Sequence, residues 1–107
     1  MANDITTHPR LWVLDTVGAV KAAGNTVYVR HVHFEPTTAA DVLTISEYAA
    51  DGSTAQNVIK LKTGASVADP VDREYNPPLV MNGLYLSAIT HGTAYVTVDT
   101  VRSKITA

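Results

Sequence analysis

Cysteine is absent from the 107 residues, and with it go disulfide staples, thiolate nucleophiles and cysteine-bound metal centres. Such a chain suits an intracellular assembly compartment. Charge is scarce: Lys and Arg number 8 against 10 Asp and Glu, giving a formal net charge of −2. The cations are spread too thinly for a basic stripe, so no nucleic-acid partner is expected. No apolar run approaches the roughly 20 residues that a spanning helix needs. Met1-Ala2-Asn3-Asp4 also lacks the basic start and apolar core of a secretory leader, so no membrane partner is expected either. Internal repeats, low-complexity tracts and domain linkers are missing as well.

What the chain does contain is alternation at period two, the mark of half-buried strands. A chain of this length is expected to be one domain, burying on folding roughly 65% of the surface its unfolded form exposes. Residues 1–10 are polar, end in His8-Pro9-Arg10, and read as a flexible N-terminal arm on a single β-sandwich domain of residues 11–107. Leu11 to Val17 is the first candidate strand, and Gly24-Asn25 turns into a second from Thr26 to Phe34. There Val27 and Val29 share one parity and Val32 and Phe34 the other, so a bulge near Arg30-His31 would turn all four inward. Val42 to Tyr48 and Asn57 to Thr63 follow around the turn Asp51-Gly52-Ser53, with Lys60 and Lys62 facing solvent. Thr63 to Pro78, with Gly64, Pro70, Pro77 and Pro78, reads mostly as loop with a short strand around Arg73 to Tyr75. The expected class is all-β, an antiparallel β-sandwich or jelly roll of about seven to eight short strands.

The last third carries the clearest pattern. Leu84 to Ile89 and Thr93 to Val98 flank Thr90-His91-Gly92. A three-residue hairpin loop with Gly92 left-handed would set Ala88 against Ala94, Leu86 against Val96 and Leu84 against Val98, all apolar. A one-residue slip would mix core with solvent. The opposite face then presents Tyr85, Ser87 and Ile89 beside Thr97, Tyr95 and Thr93, with aromatics and hydroxyls but no charge.

Catalytic chemistry finds little support. His31 and His33, at i and i+2, share a strand face as histidine metal pairs do, but a third ligand is supplied only as candidates, His8, His91, Glu35 or Glu47. A structural or surface role is expected for the pair, and no metal or cofactor. Asp69, Asp72 and Glu74 lack the spacing of a calcium loop and read as solvated loop acids. Ser46, Ser53 and Ser66 have no activating motif, and no phosphate-binding glycine loop opens a helix. The chain is not expected to be an enzyme. The candidate interaction surface is Tyr85, Ile89, Tyr95 and Thr97, read as a protein contact because the neighbours of the rings are Ser and Thr.

One run of segments has a family likeness. Val27-Tyr28-Val29-Arg30-His31-Val32 is followed by Ala40-Asp41-Val42-Leu43-Thr44-Ile45 with Asp51-Gly52, then Tyr75-Asn76-Pro77-Pro78-Leu79. Asn82-Gly83-Leu84-Tyr85-Leu86 and His91-Gly92-Thr93-Ala94-Tyr95-Val96-Thr97-Val98 close it. Over Leu11 to Val101 this order resembles the small jelly-roll decoration (cement) proteins of tailed bacteriophages. The resemblance implies a non-catalytic virion structural protein, a homo-oligomer and usually a trimer. It would bind the major capsid protein on the outer capsid surface after assembly in the host cytoplasm. The alternatives are a carbohydrate-binding or phage fibre or tail β-sandwich module, and a small metal-dependent enzyme of cupin-like shape.

Overall fold

The computed structural model describes residues 3–8, 10–64 and 69–99. Ser66 and everything from residue 100 lie outside them. The described chain forms β1 (Leu11–Leu14), β2 (Gly18–Glu35), β3 (Val42–Tyr48), β4 (Ala55–Lys62), β5 (Val71–Ile89) and β6 (Thr93–Asp99). All pair antiparallel in the order β1-β6-β2-β5-β3-β4.

The fold is all-β as expected, but with six continuous strands in place of seven or eight. The difference comes from two long strands that bend where separate strands were expected. In β2 the register with both neighbours skips from Val29 to His31, so Arg30 is the bulged residue. Val27, Val29, Val32 and Phe34 are consequently all buried. On β5, Leu79 lies opposite Val29 and Glu74 opposite His31, leaving Tyr75 to Pro78 without ladder partners. Pro77 and Pro78 therefore sit where their missing N–H groups break no ladder, and a segment that reads as loop belongs from Val71 onward to a strand.

The bends give each long strand to two layers. One layer contains β1, β6, the C-terminal part of β2 and the N-terminal part of β5; the other contains the remaining parts of β2 and β5, then β3 and β4. Within each layer the segments follow jelly-roll order, with both corner strands unbroken. The inward residues of all six strands form one buried cluster, including Trp12, Leu14, Phe34, Leu43, Ile45, Ile59, Leu86 and Val96. With no helix among the described residues to cover it, the sheet covers its own apolar face by folding across itself.

The hairpin expected at Thr90-His91-Gly92 does not form. β5 pairs with β2 and β3, whereas β6 pairs with β1 and β2. Leu84, Leu86, Ala94, Val96 and Val98 are nevertheless buried. Alternation specifies the face of a strand and not its neighbour, so the inward set is right while the partners are wrong. The loop crosses from one layer to the other, with Gly92 at φ +97° packed against Glu35 and Pro36. Asp41 anchors this crossing. Its carboxylate accepts from the Thr37 and Thr38 N–H groups at 3.0 and 2.9 Å, from the Thr38 and Thr90 hydroxyls at 2.7 and 3.0 Å, and bonds His91 Nδ1 at 2.9 Å. Burial pushes the Asp41 carboxyl up, but these bonds outweigh it and hold the group well below the usual carboxylate range.

At the other end of the molecule Asn82 joins three segments. Its Oδ1 accepts from Gly24 N–H at 2.8 Å, its Nδ2 donates to the Tyr48 carbonyl at 3.1 Å, and its own N–H donates to Glu47 Oε1 at 2.9 Å. Within the segment expected as a flexible arm, Asn3 and Asp4 bond to β1 and the residues after it. Asp4 exchanges two backbone hydrogen bonds with Val13 at 2.8 and 2.9 Å, covering the outer edge of β1, and Asn3 Oδ1 accepts from the Asp15 and Thr16 N–H groups.

Candidate functional site

The outer face of the layer containing β1 and β6 carries the densest chemistry. Because the register is continuous across its strands, outward residues line up in rows: Val13, Tyr95, His33 and Asp72 in one, Leu11, Thr97, His31 and Glu74 in the next. Each row grades from apolar on β1 to anionic on β5. Beyond Leu11 the face opens into a shallow groove of about 510 Å³ lined by His8, Arg10 and Arg30, where Arg30 is ion-paired with Asp99 at 3.2 Å. The face thus has an arginine-bearing end, where Arg30 is neutralised by Asp99, and an anionic edge.

At that anionic edge the two histidines meet carboxylates. Asp72 Oδ1 lies 2.6 Å from His33 Nδ1 and 3.1 Å from His31 Nε2, while Glu35 Oε2 lies 3.1 Å from His33 Nε2. Both ring nitrogens of His33 thus face carboxylate oxygens, which only accept; the imidazolium alone can donate to both. The hydrogen bond to Asp72 raises the His33 pKa, with Glu35 adding to it and burial opposing it. The same bond to His33 lowers the Asp72 carboxyl, burial opposes this, and the charges of His33 and His31 lower it further. The Tyr95 ring centroid stands 6.1 Å from that of His33, the two planes tilted by 43°.

Sequence reading placed His31 and His33 correctly on one face and named Glu35 among their neighbours. It missed Asp72, taken as a loop acid. The usable signal was the parity of Asp72 and Glu74, which alternate as strand residues do; Pro70 and Pro77 on either side obscured it. The other proposed neighbours lie elsewhere: His91 is held by Asp41, Glu47 binds the Asn82 backbone, and His8 lines the groove. Among the described residues no group of three or more histidines and acids is arranged to hold a metal ion.

The expected surface of Tyr85, Ile89, Tyr95 and Thr97 is divided by the fold. Tyr95 and Thr97 belong to the face just described. Tyr85 lies on the outer face of the other layer, in the row Ala19, Tyr85, Ser46, Asn57, which carries no formal charge. Its ring meets Tyr48 edge-on at 6.1 Å and 83°. The buried Ser46 hydroxyl donates to Asn57 Oδ1 at 2.8 Å and shares a second hydrogen bond with Ser87. Ile89 belongs to neither outer face. Ala88 pairs with Thr44 and Leu86 with Ile45, so Ser87 is an extra residue, and the resulting shift turns Ile89 opposite Leu43 and against the core. The same shift removes Ala88 from the core position expected for it.

Comparison with models of known protein families, with curated proteins and with solved structures finds no match to this chain.

Proposed function

We propose that this protein is a non-enzymatic virion component: a capsid decoration protein that binds the outer surface of a tailed-bacteriophage head as a homo-oligomer, most simply a trimer, and stabilises it. The observation that carries this reading is that both layers present tyrosine outward, Tyr95 on one and Tyr85 on the other. A subunit that bridges neighbours in a lattice needs contact surfaces on more than one side. Partly exposed aromatics suit the centre of such contacts, Tyr85 in a row without formal charge and Tyr95 beside the His33–Asp72 pair, and oligomer valency multiplies individually weak ones. The major capsid protein and a second copy of this chain are the partners that this reading requires.

One observation favours the carbohydrate-binding alternative. Tyr95 shares its row with His33 and Asp72, so a ring stands near groups able to hydrogen-bond sugar hydroxyls. The two readings separate in one experiment. Purified protein is mixed with expanded heads lacking it and with unexpanded precursors, and occupancy and the temperature of head disruption are measured. Saturable binding with a raised disruption temperature is expected. Failure to bind either form, together with tight binding on a glycan array, would overturn the decoration reading in favour of the sugar.

A further inference from the structure

Among the described residues, the segment Val71–Glu74 of β5 has a ladder neighbour on one side only. Its register partners are all on β2, from Phe34 to His31, while β3 meets β5 only between Tyr85 and Ile89. It is therefore an edge strand, and it is separated from the rest of β5 by the unpaired stretch ending at Pro78. An edge segment interrupted in this way can open locally without dismantling the core. Side-chain bonds across the pair then weigh heavily on whether it does.

We propose that His33, clasped between Asp72 and Glu35, is a proton-operated latch that holds the edge segment Val71–Glu74 against β2. In the closed form both ring nitrogens donate, Nδ1 to Asp72 on the neighbouring strand and Nε2 to Glu35 on its own. Loss of one proton leaves a nitrogen lone pair facing a carboxylate, which breaks one bond and sets two acceptors against each other. In the tautomer that keeps Nε2–H, Asp72 is left with only its longer contact, to His31 at 3.1 Å; in the other, its bond to Nδ1 loses the charge that strengthened it.

The surrounding groups act in the same direction. On β2 the titratable neighbours are His31 and Glu35; on β5 they are Asp72 and Glu74; β6 contributes Tyr95, and β1 only Leu11 and Val13. Arg30, next to His31, is occupied by Asp99, and Arg73 stands on the opposite parity of its strand, paired with Val32. Carboxylates thus dominate the space around His33, and they favour its charged form. A histidine whose folded pKa is raised contributes stability below its ordinary value of about 6.5, and that stability is lost as pH rises through the folded value. The lowered pKa of Asp72 sets the acid limit: its contribution is present above the ordinary carboxylate value and fades as pH falls below it. The latch is closed in mildly acidic solution and opens on the alkaline side.

This inference does not depend on the decoration reading and is tested on the isolated protein. NMR follows the His33 ring through its titration while amide hydrogen exchange is measured across Val71–Glu74 and corrected for the intrinsic pH dependence of exchange. The expected result is a His33 midpoint above that of an ordinary histidine, with protection of the segment falling several-fold through the same pH range. H33Q should make protection independent of pH at the lower level, and E74Q, which alters a neighbour with no bond to His33, should leave the pH dependence in place. A His33 midpoint at or below the ordinary value, or protection that stays flat while His33 titrates, would overturn the latch.

Discussion

Gly92 packs so closely against Glu35 that a Cβ at position 92 would stand 2.1 Å from the Glu35 carbonyl oxygen. That contact fixes the corner where the chain crosses between layers, and it cannot be relieved by rotating a side chain because the opposing atoms are backbone. Gly92→Ala is expected to cost about 3 kcal/mol or more, from overpacking together with a left-handed φ. Gly52 also has a positive φ, +79°, but its nearest neighbour to an added Cβ is Ala23 Cβ at 3.9 Å. Gly52→Ala should cost only about 1 kcal/mol. Urea unfolding of the two variants checks the contrast, and equal losses would mean that the crossing is not so tightly packed.

Core parity near the end of β5 makes a second prediction. Leu86→Ala should cost about 2 to 5 kcal/mol, since the side chain is fully buried. Ile89→Ala should cost more than about 1 kcal/mol because the extra residue at Ser87 turns Ile89 inward. A residue on an open outer face would lose well under that. Thermal or chemical denaturation of an Ile89→Ala variant with unchanged stability would place the side chain outside.

Asn82 separates acceptor from donor. Asn82→Ala leaves Gly24 N–H and the Tyr48 carbonyl without their side-chain partner and should cost about 1 to 3 kcal/mol. N82D keeps the acceptor facing Gly24 but sets a carboxylate oxygen against the Tyr48 carbonyl, near the Glu47 carboxylate that binds the backbone of the same residue. At neutral pH N82D should therefore be the less stable of the two variants, by differential scanning calorimetry, and should recover ground as the new carboxyl is protonated.

Acid stability is expected to reside in the carboxylates that tie turns together. Asp51 accepts from the Thr54 hydroxyl and from the Thr54 and Ser53 N–H groups, which bring its pKa down to about 2. Asp41 is held lower still. A depressed carboxylate contributes stability that is present above its unfolded pKa and is lost as pH falls through the folded one. Melting temperature should therefore drop through this range in the wild type. D51N and D41N should each melt lower at neutral pH, with a shallower acid decline, and D41N should show the larger change because its partners span the layer crossing.

Much of the core was legible from parity alone, including the inward set Leu84, Leu86, Val96 and Val98. The Arg30 bulge was legible too, because buried valines on opposite parities left no other way to bring both pairs inward. The bulge at Ser87 left no such mark. Ala88 and Ile89 are both apolar, so either can face the core and the pattern does not break. Strand partners were illegible for a more general reason: Leu86 and Val96 face one interior whether their strands are adjacent or belong to different layers. The candidate surface inherited that ambiguity, and the fold places Tyr85 and Tyr95 on opposite sides. Asp72 was hidden by its prolines, which mark an irregular backbone without revealing that the irregularity lies inside a strand.

The continuity of β2 and β5 through both layers also sets how the molecule bears load. Where layers are joined only by loops, a pull that separates them meets slack before it meets resistance. Here two stretches of main chain cross between the layers side by side, paired from Thr26 to Val29 against Asn82 to Leu79. A pull that separates the layers is expected to load these two main-chain segments directly.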